Sequence, residues 1–274
     1  MNAPNLVFLK LGGSLITEKD IPRTPRLDVL KRLAGEINQA RKEYPNLQIL
    51  LGHGSGSFGH MAARKHGTRR GVHTPQQWLG FVEVWKEARA LNQLVVEIMY
   101  DAGLPIIAFP PSASVLAQNG RVLHWDLAPI RASFAAGLLP LVNGDTIFDV
   151  ALGGTILSTE DLFIYLARQF HPNRILLAGI EPGVWSDFPD CKNLLNMISP
   201  STFAQFSSGI TGSSSVDVTG GMARKVESML ALIQQSPHMQ ALIFSGQEPN
   251  LVKQALAGEN PGTLITAELM DKMR

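Results

Sequence analysis

Short apolar runs alternate with amphipathic stretches at helical spacing along almost the whole chain. A strand that is followed each time by a helix can bury both faces only in a mostly parallel sheet with helices on either side, so the pattern predicts an α/β fold. Strands are predicted at Leu6 to Leu11, Leu47 to Leu51, Pro105 to Phe109, Leu138 to Val142, Arg174 to Ala178, Ala241 to Ser245 and Thr263 to Ile265. Leu27, Leu30, Leu33, Ile37 and Ala40 share one face of a predicted helix. Further helices are expected over about Pro75 to Ala102, from near Thr159, over Gly220 to Gln235 and over about Glu248 to Ala257. Thr146 to Ser158 reads as a β-hairpin turning at Gly153-Gly154. The Ser-, Asn- and Gly-rich stretch from Cys191 to Asp217 reads as irregular. No repeat or low-complexity linker divides the 274 residues, so a single domain, 1–274, is expected. Its first half is expected to carry an acceptor site and its second half a nucleotide site.

Composition narrows the function. Hydrophobic residues make up 45% and charged residues 17%, as in a globular chain. A net charge of +1 argues against nucleic acid or an anionic membrane as main partner. Cys191 is the one cysteine, which rules out an intramolecular disulfide and a CxxC metal site and suits a reducing cytoplasm. The N-terminal MNAPNLVFLKLGG lacks a basic leader and reads as a first strand. No run approaches the roughly 18 apolar residues of a membrane span.

Three glycine-rich elements carry the chemistry. Lys10-Leu11-Gly12-Gly13-Ser14 ends the first strand, where two glycines let backbone N–H groups turn toward an anion. Lys10 lies in an apolar strand and is costly to bury unless an anion compensates it. The alternative is a lysine that snorkels from the strand end. Lys19 follows in a loop and reads equally well as a solvated charge. The second element runs from Gly52 to His60 and contains a GxGxxG from Gly54 to Gly59. A dinucleotide fold would place that motif after the first strand, with an acidic residue about twenty positions on. Neither holds, and an anion site at a helix N-terminus explains the same glycines more simply. The third, Thr219-Gly220-Gly221-Met222 with Lys225 one turn on, opens a helix whose buried face carries Met222, Val226, Met229, Leu230 and Ile233.

In this order the three elements resemble the amino acid kinase superfamily over essentially the whole chain. The resemblance implies a three-layer αβα sandwich around a mainly parallel sheet, usually dimeric, with ATP and Mg²⁺ as cofactors. It implies two catalytic lysines, Lys10 and Lys225, with Asp161 orienting them. Gly12, Gly13, Ser14, Gly56, Gly220 and Gly221 would then contact ATP. Phosphoryl transfer fits such a set, because it needs positioning and charge neutralisation more than covalent help.

Within the superfamily, the string Gly54-Ser55-Gly56-Ser57-Phe58-Gly59-His60, with Lys19 at its distance from Lys10, resembles isopentenyl phosphate kinases. That likeness implies isopentenyl phosphate as acceptor, held by Gly54, Ser55, Gly59, His60 and Asp145, with Lys19 and His60 catalytic. Ser55 departs from the Gly or Ala common there. A histidine at a helix N-terminus can donate a charge-assisted bond to a phosphate monoester. Trp78, Phe81, Val82 and Trp85 form a stripe that either walls a pocket for a five-carbon tail or is plain core. The nearest rival is a kinase of another small phosphate or phosphonate, such as fosfomycin. A non-catalytic ligand-binding protein on the same fold is a rival of another class, but it would have no need of Lys10, Lys225 and Asp161 together.

Overall fold

The strand Asn5–Leu11 (β1) shows how the molecule is layered. Its side chains alternate, with Leu6 and Phe8 entering one apolar cluster and Val7, Leu9 and Leu11 entering another. The computed structural model describes residues 5–206 and 221–267. After β1 come β2 (Leu47–His53), β3 (Ile106–Ala108), β4 (Val115–Gln118), β5 (Arg121–Trp125), β6 (Leu139–Asn143) and β7 (Asp145–Asp149). The remaining strands are β8 (Gly153–Leu157), β9 (Arg174–Gly179), β10 (Val184–Trp185), β11 (Leu194–Leu195), β12 (Met197–Ile198), β13 (Gln240–Ser245) and β14 (Gly262–Ile265). The helices are α1 (Gly13–Ile16), α2 (Leu27–Glu43), α3 (Gly56–His66), α4 (Pro75–Asp101), α5 (Ala128–Ala135), α6 (Thr159–Phe170), α7 (Pro200–Phe206), α8 (Gly221–Gln235) and α9 (Leu251–Leu256).

The large sheet has the order β12-β14-β13-β9-β1-β2-β6-β3, parallel throughout except where β13 meets β14. On the Phe8 side it is covered by α5, α6 and α8 through Ile130, Phe163, Leu166, Val226 and Ile233. On the Leu9 side it is covered by α2, α4 and α9 through Leu33, Ile37, Leu91, Val95 and Val252. This is the expected three-layer αβα sandwich. From β1 the chain first builds outward through β2 and later returns to the other side as β9 and β13. The order therefore reverses at β1, and a crevice opens beyond its carboxyl end, where ligands bind in such sheets.

Several expectations are corrected. Leu27 is 43% exposed and leaves the buried face of α2 to Leu30, Leu33, Ala34, Ile37 and Ala40. The hairpin turns at residues 150–152, and Gly153 already opens the return strand. β4, β5 and α5 were not anticipated, since β5 alternates weakly and sits largely exposed in a small sheet of order β5-β4-β7-β8. The stretch expected to be irregular contains β11, β12 and α7, and its residues 207–217 lie outside the described ones.

Candidate active site

The crevice beyond β1 is a cleft of about 860 Å³, lined by the turn after β1, the start of α3, the start of α6, the end of β9 and Lys225 of α8. Its floor is built by close backbone approach. A Cβ on Gly13 would lie 2.5 Å from the Gly56 nitrogen, and one on Gly54 would lie 2.8 Å from the Gly13 nitrogen. Real Cβ atoms do not approach that closely, so the first two glycine elements interlock only because side chains are absent there. Gly52 does similar service on β2: a Cβ there would meet Thr159 and Phe163 of α6 at 2.6 and 2.7 Å.

Lys10 follows Leu6 and Phe8 at strand period two, so its side chain faces the layer of α6 and α8. There it pairs with Glu160, the second residue of α6. Burial alone would raise the Glu160 carboxyl, but the charges of Lys10 and Lys225 and the bond from Lys10 prevail and hold it at about 2. Glu160 is therefore ionised at neutral pH and stands in the field of both lysines.

Asp161, the carboxylate expected to orient the lysines, is the next residue of α6 and lines a small neighbouring hollow with Glu160 and Lys225. It accepts from the Ser158 nitrogen at 2.9 Å and from the Ser158 hydroxyl at 2.7 Å, closing a capping box on α6. Its Oδ2 also pairs with Arg69 at 3.0 Å. The two neighbours divide the work because consecutive helical residues point about 100° apart. The spacing Ser158-x-x-Asp161 is itself a capping signature. It could have marked Asp161 as the cap and left Glu160 to face the sheet.

At the other end, α3 begins at Gly56 and carries Ser57, Gly59 and His60 along the cleft, with Gly54 and Ser55 in the turn before it. His60 is half-buried, while Lys19 is exposed at the rim. Asp145 also lines the cleft, but its carboxylate accepts from the Ser112 nitrogen at 3.1 Å and from its neighbour Thr146 at 2.8 Å. Burial raises its pKa, while those bonds oppose the rise. Gly12, Gly13, Ser14 and Gly221 are described; of these Gly12, Gly13 and Ser14 line the cleft. Gly220 lies outside the described residues.

The aromatic stripe does not line the cleft. Trp78 and Phe81 pack edge-on at 5.2 Å and enclose Phe148 of β7 at 5.8 and 5.5 Å. Val82 is 53% exposed, and Trp85 donates to the Ser112 hydroxyl at 3.2 Å beneath Arg89. The α4 residues that do reach the cleft are Val84 and Ala88, one turn apart, and Met61 of α3 and Ile156 of β8 add further apolar lining.

Sequence reasoning also missed His53, which is fully buried beneath the turn from Gly54 to Gly59. Its Nδ1 lies 3.0 Å from the Gly54 oxygen, and its Nε2 lies 3.0 Å from the Asn92 amide nitrogen. Burial pushes its pKa down, partly opposed by the Gly54 bond and aided by the Lys10 charge, to about 4. It is neutral at pH 7, with Nδ1–H donating to Gly54 and Nε2 accepting from Asn92.

Comparison with known proteins agrees with this geometry. The model of the amino acid kinase family matches residues 5–245. The isopentenyl phosphate kinase of Methanocaldococcus jannaschii is 30% identical over 269 residues, covering 95% of this chain and 98% of its own. That of Haloferax volcanii is 31% identical over 266 residues, covering 96% and 100%. An X-ray structure of isopentenyl phosphate kinase superposes with a TM-score of 0.80 at 28% identity, over 95% of this chain and 100% of the other.

Proposed function

This chain belongs to the amino acid kinase family, and from that premise we propose that it phosphorylates isopentenyl phosphate with ATP, giving isopentenyl diphosphate and ADP. The observation that carries the reading is a single cleft lined by both parts of the set: Lys10, Glu160 and Lys225, and the glycine turn from Gly54 to Gly59 that leads into His60. The full-length likeness to isopentenyl phosphate kinases favours this acceptor over fosfomycin.

In this reading Lys10 and Lys225 hold the phosphoryl group in flight and neutralise the charge spread over its equatorial oxygens. Glu160, ionised at neutral pH, fixes the Lys10 ammonium. It takes the orienting role that the resemblance had assigned to Asp161. The turn from Gly54 to Gly59 and His60 bind the acceptor's monophosphate, which carries close to two charges at neutral pH, with Lys19 at the rim. Val84, Ala88 and Ile156 offer the apolar tail a wall, with the exposed Met61 at its edge.

Among the described residues no group of three His, Cys, Asp or Glu could hold a metal. Glu160, the carboxylate nearest the lysines, is already engaged by Lys10. Mg²⁺ is accordingly assigned to the nucleotide's own phosphates, where it supplies charge neutralisation. A homodimer is expected from the family likeness and a cytoplasmic setting from the single cysteine, Cys191.

The test is a series at His60. Asn keeps a neutral donor and Ala removes it, so activity should fall in the order wild type, Asn, Ala, with the KM for isopentenyl phosphate or kcat affected and the KM for ATP little changed. Normal phosphorylation of isopentenyl phosphate by His60→Ala, or a change in the KM for ATP alone, would remove the acceptor assignment.

A further inference from the structure

The two interlocked glycine turns are joined by one buried hydroxyl. Thr17 closes the short helix after β1 and has no exposed surface. Its Oγ1 donates to the Gly13 oxygen at 2.8 Å and accepts from the Ser57 N–H at 3.0 Å. We propose that Thr17 is a positioning residue that sets the spacing between the turn Gly12-Gly13-Ser14 and the turn Gly54 to Gly59, and so between the two ends of the cleft.

The inference rests on the phosphoryl-transfer reading and extends it to a side chain that reading does not use. Gly13, Gly54 and Gly56 touch backbone to backbone, so no side chain of their own spaces them. Gly56 has φ +48°, and a Cβ there would run into the Thr17 hydroxyl itself. The hydroxyl thus occupies the room that Gly56 leaves open. The Ser57 amide that Thr17 captures belongs to the first turn of α3, and His60 follows one turn later on the same helix. Fixing that amide fixes the entry of α3 against the loop that continues from Lys10. Thr17 holds no substrate group in this account. It acts through the two turns, whose separation determines whether the acceptor oxygen meets the phosphoryl group in line. Displacement of reacting groups by about 1 Å can cost about 100-fold in rate, so a single clasp is enough to matter.

The experiment compares Thr17→Val, which keeps the shape and removes the hydroxyl, with Thr17→Ser, which keeps the hydroxyl and removes a methyl. Initial rates are measured with ATP–Mg²⁺ and isopentenyl phosphate varied separately, normalised to the folded fraction titrated by nucleotide binding. We expect kcat of T17V to fall roughly 10- to 100-fold while the KM for each substrate stays within about threefold. T17S should recover to within about threefold of wild type. Wild-type kcat in T17V, a loss that vanishes on normalisation, or a T17S as slow as T17V would each overturn the proposal. Should T17V not fold, T17C takes its place: a thiol is a longer, weaker partner, so its kcat should fall at least about threefold, and wild-type kcat there would overturn the proposal. A wild-type enzyme that leaves isopentenyl phosphate unphosphorylated would instead overturn the acceptor reading on which the proposal stands.

Discussion

The floor of the cleft and the aromatic corner outside it are both built around glycine, to opposite ends. At the floor, Gly13, Gly54 and Gly56 bring two backbone turns into contact beneath the place where charge must be handled. At the corner, Gly154 on β8 makes room for rings, since a Cβ there would meet Phe81 at 3.0 Å and Trp78 at 3.3 Å. The floor concentrates Lys10, Glu160 and Lys225, which contribute little to burying apolar surface. The corner buries Phe81 to 6% exposure against Trp78 and Phe148 and offers the cleft nothing polar. The difference predicts that activity and apolar packing are carried largely by different residues, and substitutions can break or sharpen that division.

The largest effect is expected at the floor. Lys10→Met or Lys225→Met should lower kcat by roughly a thousandfold or more, and Lys10→Met should also lower the melting temperature, because it leaves the Glu160 carboxylate without its partner. Glu160→Gln should follow with about 100-fold. Asp161→Asn should keep kcat within a few-fold and lose about 1 kcal/mol of stability as the cap and the Arg69 pair weaken. Steady-state rates beside thermal melts read both quantities. If D161N loses turnover and E160Q does not, the division of labour between these neighbours is the reverse of the one described.

The corner should behave oppositely. Phe81→Ala removes a ring packed against two others and should cost about 3–5 kcal/mol, read by denaturant unfolding, while kcat per folded molecule stays near wild type. A stable F81A with altered acceptor preference would instead place the corner in the pocket.

How much of this was legible in the sequence differs between the same two regions. The floor was largely readable, because glycine pairs after strands and a lysine inside an apolar strand are local violations that only a site explains. What spacing alone does not answer is the angle that sends Glu160 to Lys10 and its neighbour Asp161 to Ser158 and Arg69. The prediction of a helix over about Pro75 to Ala102 agrees with α4, but not the face that each residue takes. Apolar residues surround that helix because it packs on the large sheet through Leu91 and Val95, while Trp78 and Phe81 meet Phe148 of the small sheet. A periodicity argument cannot say which of two partners a stripe will meet. The small sheet itself was read only as a hairpin, because β4 and β5 are short and β5 is largely exposed.

A pH dependence is expected beneath the floor. His53 titrates at about 6.5 when unfolded and about 4 when folded, so between those values the unfolded chain binds the extra proton. Stability is therefore full above about pH 6.5 and declines as the pH falls toward 4, by about 3 kcal/mol over that span. Glu160 adds a second decline below its unfolded value of about 4.5, toward about 2. Unfolding free energies at pH 7, 6, 5 and 4.5, for wild type and His53→Gln, measure the first part. A slope that survives the substitution would assign the acid sensitivity to another group.

The most direct test of the account is the reaction itself, followed by ³¹P NMR with ATP–Mg²⁺ and a panel of isopentenyl phosphate, dimethylallyl phosphate, fosfomycin and a carboxylate acceptor. The account predicts that the monophosphate resonance of isopentenyl phosphate gives way to the paired resonances of a diphosphate as ADP accumulates, with fosfomycin and the carboxylate unchanged. Phosphorylation of fosfomycin or the carboxylate in preference to isopentenyl phosphate would contradict it.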